Sequence, residues 1–226
     1  MSHHRLWEYA GSTPDDTSIV TAAERMAEQG IANGGVVVRL QPALCPTEAQ
    51  FYEFCRLNDE LRIERDAQGE VSIMPPAAWE TAAKNLEIAA QLHAWAKTDG
   101  TGRAADSSAG YVLPNGAIRY PDASWVSNER LAHLTVDERS RFLPVCPDFV
   151  IELRSPTDGL TALHAKMAEY VANGATLGWL IDPANRRVFV YRPGSDAEAL
   201  DSPTNVSGEL ELGGFRLTLA EVWRER

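Results

Sequence analysis

Pro147-Asp148-Phe149-Val150-Ile151-Glu152-Leu153-Arg154-Ser155-Pro156 is a short apolar run with one carboxylate inside it. Branched and aromatic residues between two prolines predict a buried strand. On it Glu152 and Arg154 share a face, roughly 6.6 Å apart along the axis at a rise of about 3.3 Å per residue. An ionised carboxylate among Phe149, Val150, Ile151 and Leu153 is costly unless a cation or metal compensates it. Glu152 therefore needs a partner.

Composition bounds the search. The chain has 226 residues, 44% hydrophobic and 23% charged, which suits one large domain with a sizeable core. Cys45, Cys55 and Cys146 form no CxxC pair and are odd in number. This predicts a reduced, cytoplasmic setting rather than a disulfide framework or zinc cluster. No run approaches the ~20 apolar residues of a membrane helix, so no membrane partner is expected. Met1 to Arg5 lacks a basic-then-apolar signal pattern. The net charge of −11 disfavours nonspecific binding to a polyanion. A local basic patch around an acidic metal site still admits nucleic acid.

Residues 1–45 read as a peripheral segment, with a short helix over 17–29, a turn at Asn33-Gly34-Gly35 and a short strand at Val36-Val37-Val38. The domain proper runs over 46–226. A helix over Thr47–Leu61 opens on a Thr47/Gln50 capping box, with Phe51, Phe54, Cys55 and Leu61 as its apolar stripe. Two strands over 63–74 flank a hairpin turn at Asp66–Gly69. The spacing predicts a long helix over Trp79–Lys97, buried on two sides. Strands over 103–113 and 118–126 surround the Pro114-Asn115-Gly116 turn, and 128–141 is a polar excursion. After the opening strand comes a helix over Leu160–Ala172, stopped by Asn173-Gly174. Strands over 176–181 and 187–191, then a last strand and a short helix, complete an α/β fold with a mixed sheet.

Two Pro-Asp pairs precede Glu152. Asp148 lies on the same strand face but roughly 13 Å away, too far to share a metal. Asp122, in Tyr120-Pro121-Asp122-Ala123-Ser124-Trp125-Val126, opens another strand, and adjacent strands lie only about 4.8 Å apart. Asp122 and Glu152 could therefore meet at one hard cation. Two carboxylates plus solvent suit Mg²⁺, which keeps waters. Of three lysines, Lys84, Lys97 and Lys166, the last sits at the flank of the Leu160–Ala172 buried stripe beside Tyr170. Its head could snorkel over the sheet toward Glu152.

Pro121-Asp122, Glu152-Leu153-Arg154-Ser155-Pro156, Lys166 with Tyr170 and Gly174, and Trp179-Leu180-Ile181-Asp182-Pro183 resemble, in this order, the PD-(D/E)XK nuclease superfamily. Within it the chain resembles the Uma-two-like putative restriction endonuclease family over roughly residues 46–226. Gly69-Glu70, Met74-Pro75-Pro76, Arg192-Pro193-Gly194 and Gly214-Phe215 extend the likeness. The resemblance implies a restriction-endonuclease-like core with helices flanking a central mixed sheet, and cleavage of DNA phosphodiesters with Mg²⁺ or Mn²⁺. It implies that Asp122 and Glu152 bind the metal. The lysine of the E-x-K pattern is Arg154 here, a departure. Arginine can clamp a phosphate but is a poor general base. The family's lysine is often moved to the following helix, which makes it Lys166. Arg154, Glu64 and Glu80 are accessory candidates.

Plainer readings stand beside these. Asp122 alone reads as a strand-start carboxylate, Glu152 with Arg154 as a structural ion pair, and Lys166 as a snorkelling lysine. His93, His133 and His164 share no ligand spacing, and Trp79, Trp95, Trp125 and Trp179 read as core. The function expected is a metal-dependent endodeoxyribonuclease, with a homodimer as a reasonable assembly for cutting two strands. The alternative is an inactive nuclease-fold module that binds DNA or a protein partner.

Overall fold

The computed structural model of the protein describes residues 36–39 and 46–224. The helix expected over 17–29 and the turn at 33–35 lie outside them. The first strand, β1 (Val36–Val38), pairs antiparallel with β3 (Val71–Met74). Between them α1 (Glu48–Leu57) starts on the expected capping box, in which Thr47 Oγ1 accepts from the Gln50 amide and Gln50 Oε1 accepts from the Thr47 amide. Only Phe51 of its apolar set is buried, while Phe54 and Leu61 are exposed. β2 (Arg62–Arg65) forms the hairpin with β3.

The long helix α2 (Trp79–Asp99) buries one face, not two. Ile88, Leu92 and Ala96 enter the core, whereas Trp79 is 80% exposed and Leu86 71% exposed. Apolar periodicity around the whole helix misleads here because alanines fill much of the outer side. Trp79 is thus no core residue.

Neither strand expected over 103–126 is continuous. β4 (Gly102–Asp106) ends in a turn where Asp106 Oδ1 accepts from the Ser108 amide and hydroxyl. The chain then changes sheets to make β5 (Tyr111–Val112) and β6 (Ile118–Arg119). It crosses back at Tyr120-Pro121-Asp122 into β7 (Ala123–Ser127). A polar excursion follows with the short helix α3 (Asn128–Ala132).

β8 (Phe149–Leu153) is buried at all five positions. The helix α4 (Leu160–Ala172) carries the chain to β9 (Leu177–Asp182), parallel to β8, as a parallel pair requires a crossover. β10 (Arg187–Tyr191) and β11 (Glu198–Asp201) continue antiparallel. The tail is a two-stranded sheet, β12 (Asn205–Ser207) with β13 (Arg216–Thr218), ending in turns where a short helix was expected.

The result is a mixed α/β architecture. A six-stranded sheet runs β11-β10-β9-β8-β7-β4, and a five-stranded one runs β1-β3-β2-β6-β5. α2 covers one face of the six-stranded sheet together with Phe215, Leu217 and Val222, and α4 covers the other through Leu163, Met167 and Tyr170. Fully burying side chains of this size stabilises by about 1.5–3 kcal/mol each. Two glycines set how α4 sits. Gly174 closes it at φ 110, and a Cβ at Gly178 would lie 2.5 Å from Met167 Cε, so a larger residue there would push the end of that methionine aside.

Candidate active site

The crossing at Tyr120-Pro121-Asp122 places a carboxylate at the seam of the two sheets. Ala123 pairs with Ile151, so one step earlier Asp122 stands opposite Glu152. Directly opposed residues of an antiparallel pair put their Cβ atoms about 4.5–5.5 Å apart on one face. Asp122 Oδ2 accepts from the Leu153 amide at 2.8 Å. Its Oδ1 takes two longer bonds of 3.3 Å, from Arg62 Nη1 on β2 and Asn85 Nδ2 on α2.

Glu152 is 3% exposed. Tyr170 Oη donates to its Oε1 at 3.0 Å, and Lys166 Nζ lies 2.9 Å from the same oxygen. Among the described residues both contacts fall on Oε1 and leave Oε2 open. Lys166 also reaches Glu64 Oε1 at 2.9 Å. Glu64, on β2 of the other sheet, further accepts from the Tyr120 amide at 3.0 Å and Arg119 Nη1 at 3.2 Å. Arg119 in turn binds Glu169 at 2.6 Å. One lysine therefore ties the two sheets through two buried carboxylates.

The electrostatics are uneven. Burial, with the charges of Asp122 and Glu64, pushes Glu152 up to about 7 against the pull of Lys166. Burial also opposes ionisation of Glu64, but Lys166 and Arg119 outweigh it and bring Glu64 down to about 2. Burial would lower Lys166. Glu152 and Glu64 more than offset that and hold it above the usual lysine range. Lys166 thus carries its proton at neutral pH.

The structure brings together Asp122, Glu152, Lys166 and Glu64. It leaves Arg154 and Glu80 outside. Arg154 Nη1 pairs with buried Asp182 at 2.8 Å and its Nε donates to the Asp158 carbonyl at 3.2 Å. Glu80 is exposed in the first turn of α2, its carboxylate making no hydrogen bond or ion pair among the described residues. Asp148 binds the Ser127 amide and Arg130, a structural role. His164 pairs with the Tyr191 hydroxyl.

Sequence reasoning missed Arg62, Arg119 and Asn85. For Arg62 a signal existed, since it precedes alternating Ile63-Glu64-Arg65 on a strand. Asn85 and Arg119 carried none, because polar residues on a helix and beside a turn are ordinarily solvated. The Arg62 side chain is 30% exposed. With Tyr120 it borders a cavity of ≈ 420 Å³ that also meets Tyr52, Cys55, Arg56 and Phe142. Arg62 Nε and Asn85 Oδ1 are buried beside Asp122 without a partner among the described residues.

Among the described residues, no three His, Cys, Asp or Glu side chains stand in metal-holding geometry, the acids being held by cations. Two carboxylates and water still suffice for Mg²⁺, which binds through one or two carboxylates. The open Glu152 Oε2, the raised Glu152 and the unpartnered Asn85 Oδ1 all fit a hard cation here.

No curated protein matches the sequence. Among solved structures, the crystal structure of a putative nuclease belonging to DUF820 from Anabaena variabilis is similar, with a TM-score of 0.63 and 23% identity over 73% of this chain and 90% of that one. That likeness concerns the fold. The Uma2 family model, described as "Putative restriction endonuclease", matches residues 48–220. The chain, with its two-sheet core and its acids gathered on one lysine, belongs to the Uma2 family.

Proposed function

We propose that the chain is a metal-dependent endonuclease that hydrolyses DNA phosphodiester bonds. The observation that carries this reading is the meeting of Asp122 and Glu152 at the seam of the sheets, with Glu64 joined to Glu152 through Lys166. Asp122 and Glu152 would hold Mg²⁺ or Mn²⁺, both suited to hard oxygen donors. Bound there, the cation would supply charge stabilisation at the phosphoryl oxygen and a more acidic water.

The remaining work falls to the chain's own side chains. Lys166, kept protonated by its two carboxylates, orients and neutralises a phosphate rather than abstracting a proton. Glu64 and Tyr170 hold Lys166 and Glu152 in position. Arg62, at the cavity edge, can clamp a neighbouring phosphate through its guanidinium. Two such sites in a homodimer would serve the two strands of a duplex. The free thiols of Cys55 and Cys146 support a cytoplasmic setting.

The test is nicking of supercoiled DNA with Mg²⁺. Cleavage that stops with chelator and with Glu152→Ala is expected. Cleavage that survives either would sink the assignment. No cleavage of any DNA form, with no Mg²⁺ binding by calorimetry, would favour a noncatalytic module for DNA or a protein partner.

A further inference from the structure

We propose that the outward face of α2 docks a second copy of this chain across a two-fold axis. Trp79, Ala83, Leu86, Ala90, His93 and Lys97 follow alternating steps of four and three, which line one side of a helix. All six are exposed, on the side away from buried Ile88, Leu92 and Ala96. Next to this line, a groove of ≈ 440 Å³ between α2 and β4 is lined by alanines, Ala89 and Ala104 among them, together with His93, Asp106 and Ser108. Bulk and hollow sit side by side on one face. Each copy can therefore offer a knob and accept one, as an isologous interface requires.

Charge selects the direction of the pair. In an antiparallel pair centred on Ile88, Trp79 faces the second copy's Lys97, Ala83 faces its His93 and Leu86 faces its Ala90. Each large side chain then meets a small one, or a cation over an indole ring. Glu80 flanks Trp79 and comes beside the same Lys97. Neither Glu80 nor Lys97 makes an ion pair among the described residues, so both are available. A parallel pair would instead set Lys97 against Lys97 and align two helix dipoles. Asn85, on the inner side of α2, touches Asp122. The pair would thus join two candidate sites through the helices behind them. The inference stands apart from the nuclease reading because its readout is mass, not cleavage.

Light scattering and sedimentation of the full chain over a micromolar range test it. A dimer is expected, and Leu86→Glu or Trp79→Glu should give a monomer with unchanged far-ultraviolet circular dichroism. Lys97→Glu should weaken the dimer about tenfold, a change of about 1.4 kcal/mol, and adding Glu80→Lys should restore it. A chain that is monomeric at every concentration overturns the proposal. So does a dimer that withstands Leu86→Glu, or a double reversal that fails to restore association.

Discussion

Two cation–carboxylate clusters share one face of β8 and β9, only a few residues apart in the chain. At the end of the strands, Arg154 and Asn185 both donate to Asp182 Oδ2, each at 2.8 Å. Burial opposes the Asp182 charge, yet these donors hold it below its ordinary value. That cluster pairs one acid with one cation, although Asp182 Oδ1 is buried with no hydrogen-bond partner among the described residues. Around Glu152, by contrast, burial and the charges of Asp122 and Glu64 push the acid up to about 7, even though Lys166, Arg62 and Arg119 all stand among the three carboxylates. The same residue types give one ion pair in one place and, in the other, a crowd of acids and cations in which buried Glu152 is raised. An acid with one close cation stays ionised when buried, whereas an acid crowded by other acids is relieved by a proton or a cation.

The largest effect that could break this comparison is on cleavage. Glu152→Ala should lower Mg²⁺-dependent nicking by at least about 100-fold, measured as rate per folded molecule. If Asp182→Ala matched that loss, the two clusters would not differ in kind.

Next comes stability. Lys166→Ala leaves Glu64 and Glu152 buried without their shared cation, which should cost about 3–5 kcal/mol in urea unfolding at pH 8. The loss should shrink as pH falls toward 7, since without Lys166 to lower it Glu152 takes up its proton at a higher pH than in the parent. Asp182→Ala removes the partner of a guanidinium that is 24% exposed. A smaller loss of about 1–3 kcal/mol is expected, with cleavage per folded molecule changed less than about twofold.

The smallest effects are pH slopes. Glu152 has a folded value of about 7, raised from 4.5, so its contribution to stability is lost as pH rises through 7. Glu64 has a folded value of about 2, lowered from 4.5, so its contribution is present above 4.5 and lost as pH falls through 2. Glu152→Gln should flatten the neutral limb of an unfolding profile and Glu64→Gln the acid limb. If both variants flatten the same limb, the opposite displacement of the two acids is wrong.

How much was legible can be judged from particular elements. β8, α4 and the β2–β3 hairpin follow from local pattern: an apolar run between prolines, a stripe of period 3.6 with a glycine stop, and two short strands around Asp66–Gly69. The sheet changes at Asp106 and Tyr120 were not legible. The run from Arg103 to Leu113 does carry a turn mark, Asp106-Ser107-Ser108 followed by Gly110, but a turn does not tell which sheet the next strand joins. The aim of Lys166 was legible because helical angle puts it at the stripe edge beside Tyr170. Its second partner was not, since Glu64 comes from another sheet 102 positions away.

By itself, then, the sequence determined that Glu152 is an expensive carboxylate on a buried strand, that Asp122 begins another strand, and that one lysine lies on the helix behind them. These follow from periodicity and from the cost of burying charge, which are local. Only the tertiary structure decided which cation answers which acid. Arg154, nearest in sequence, turned to Asp182, while Lys166 bridged Glu152 and Glu64 across the sheet seam. Ion pairs are chosen by where long side chains end in space, and strand pairing and helix docking set that place.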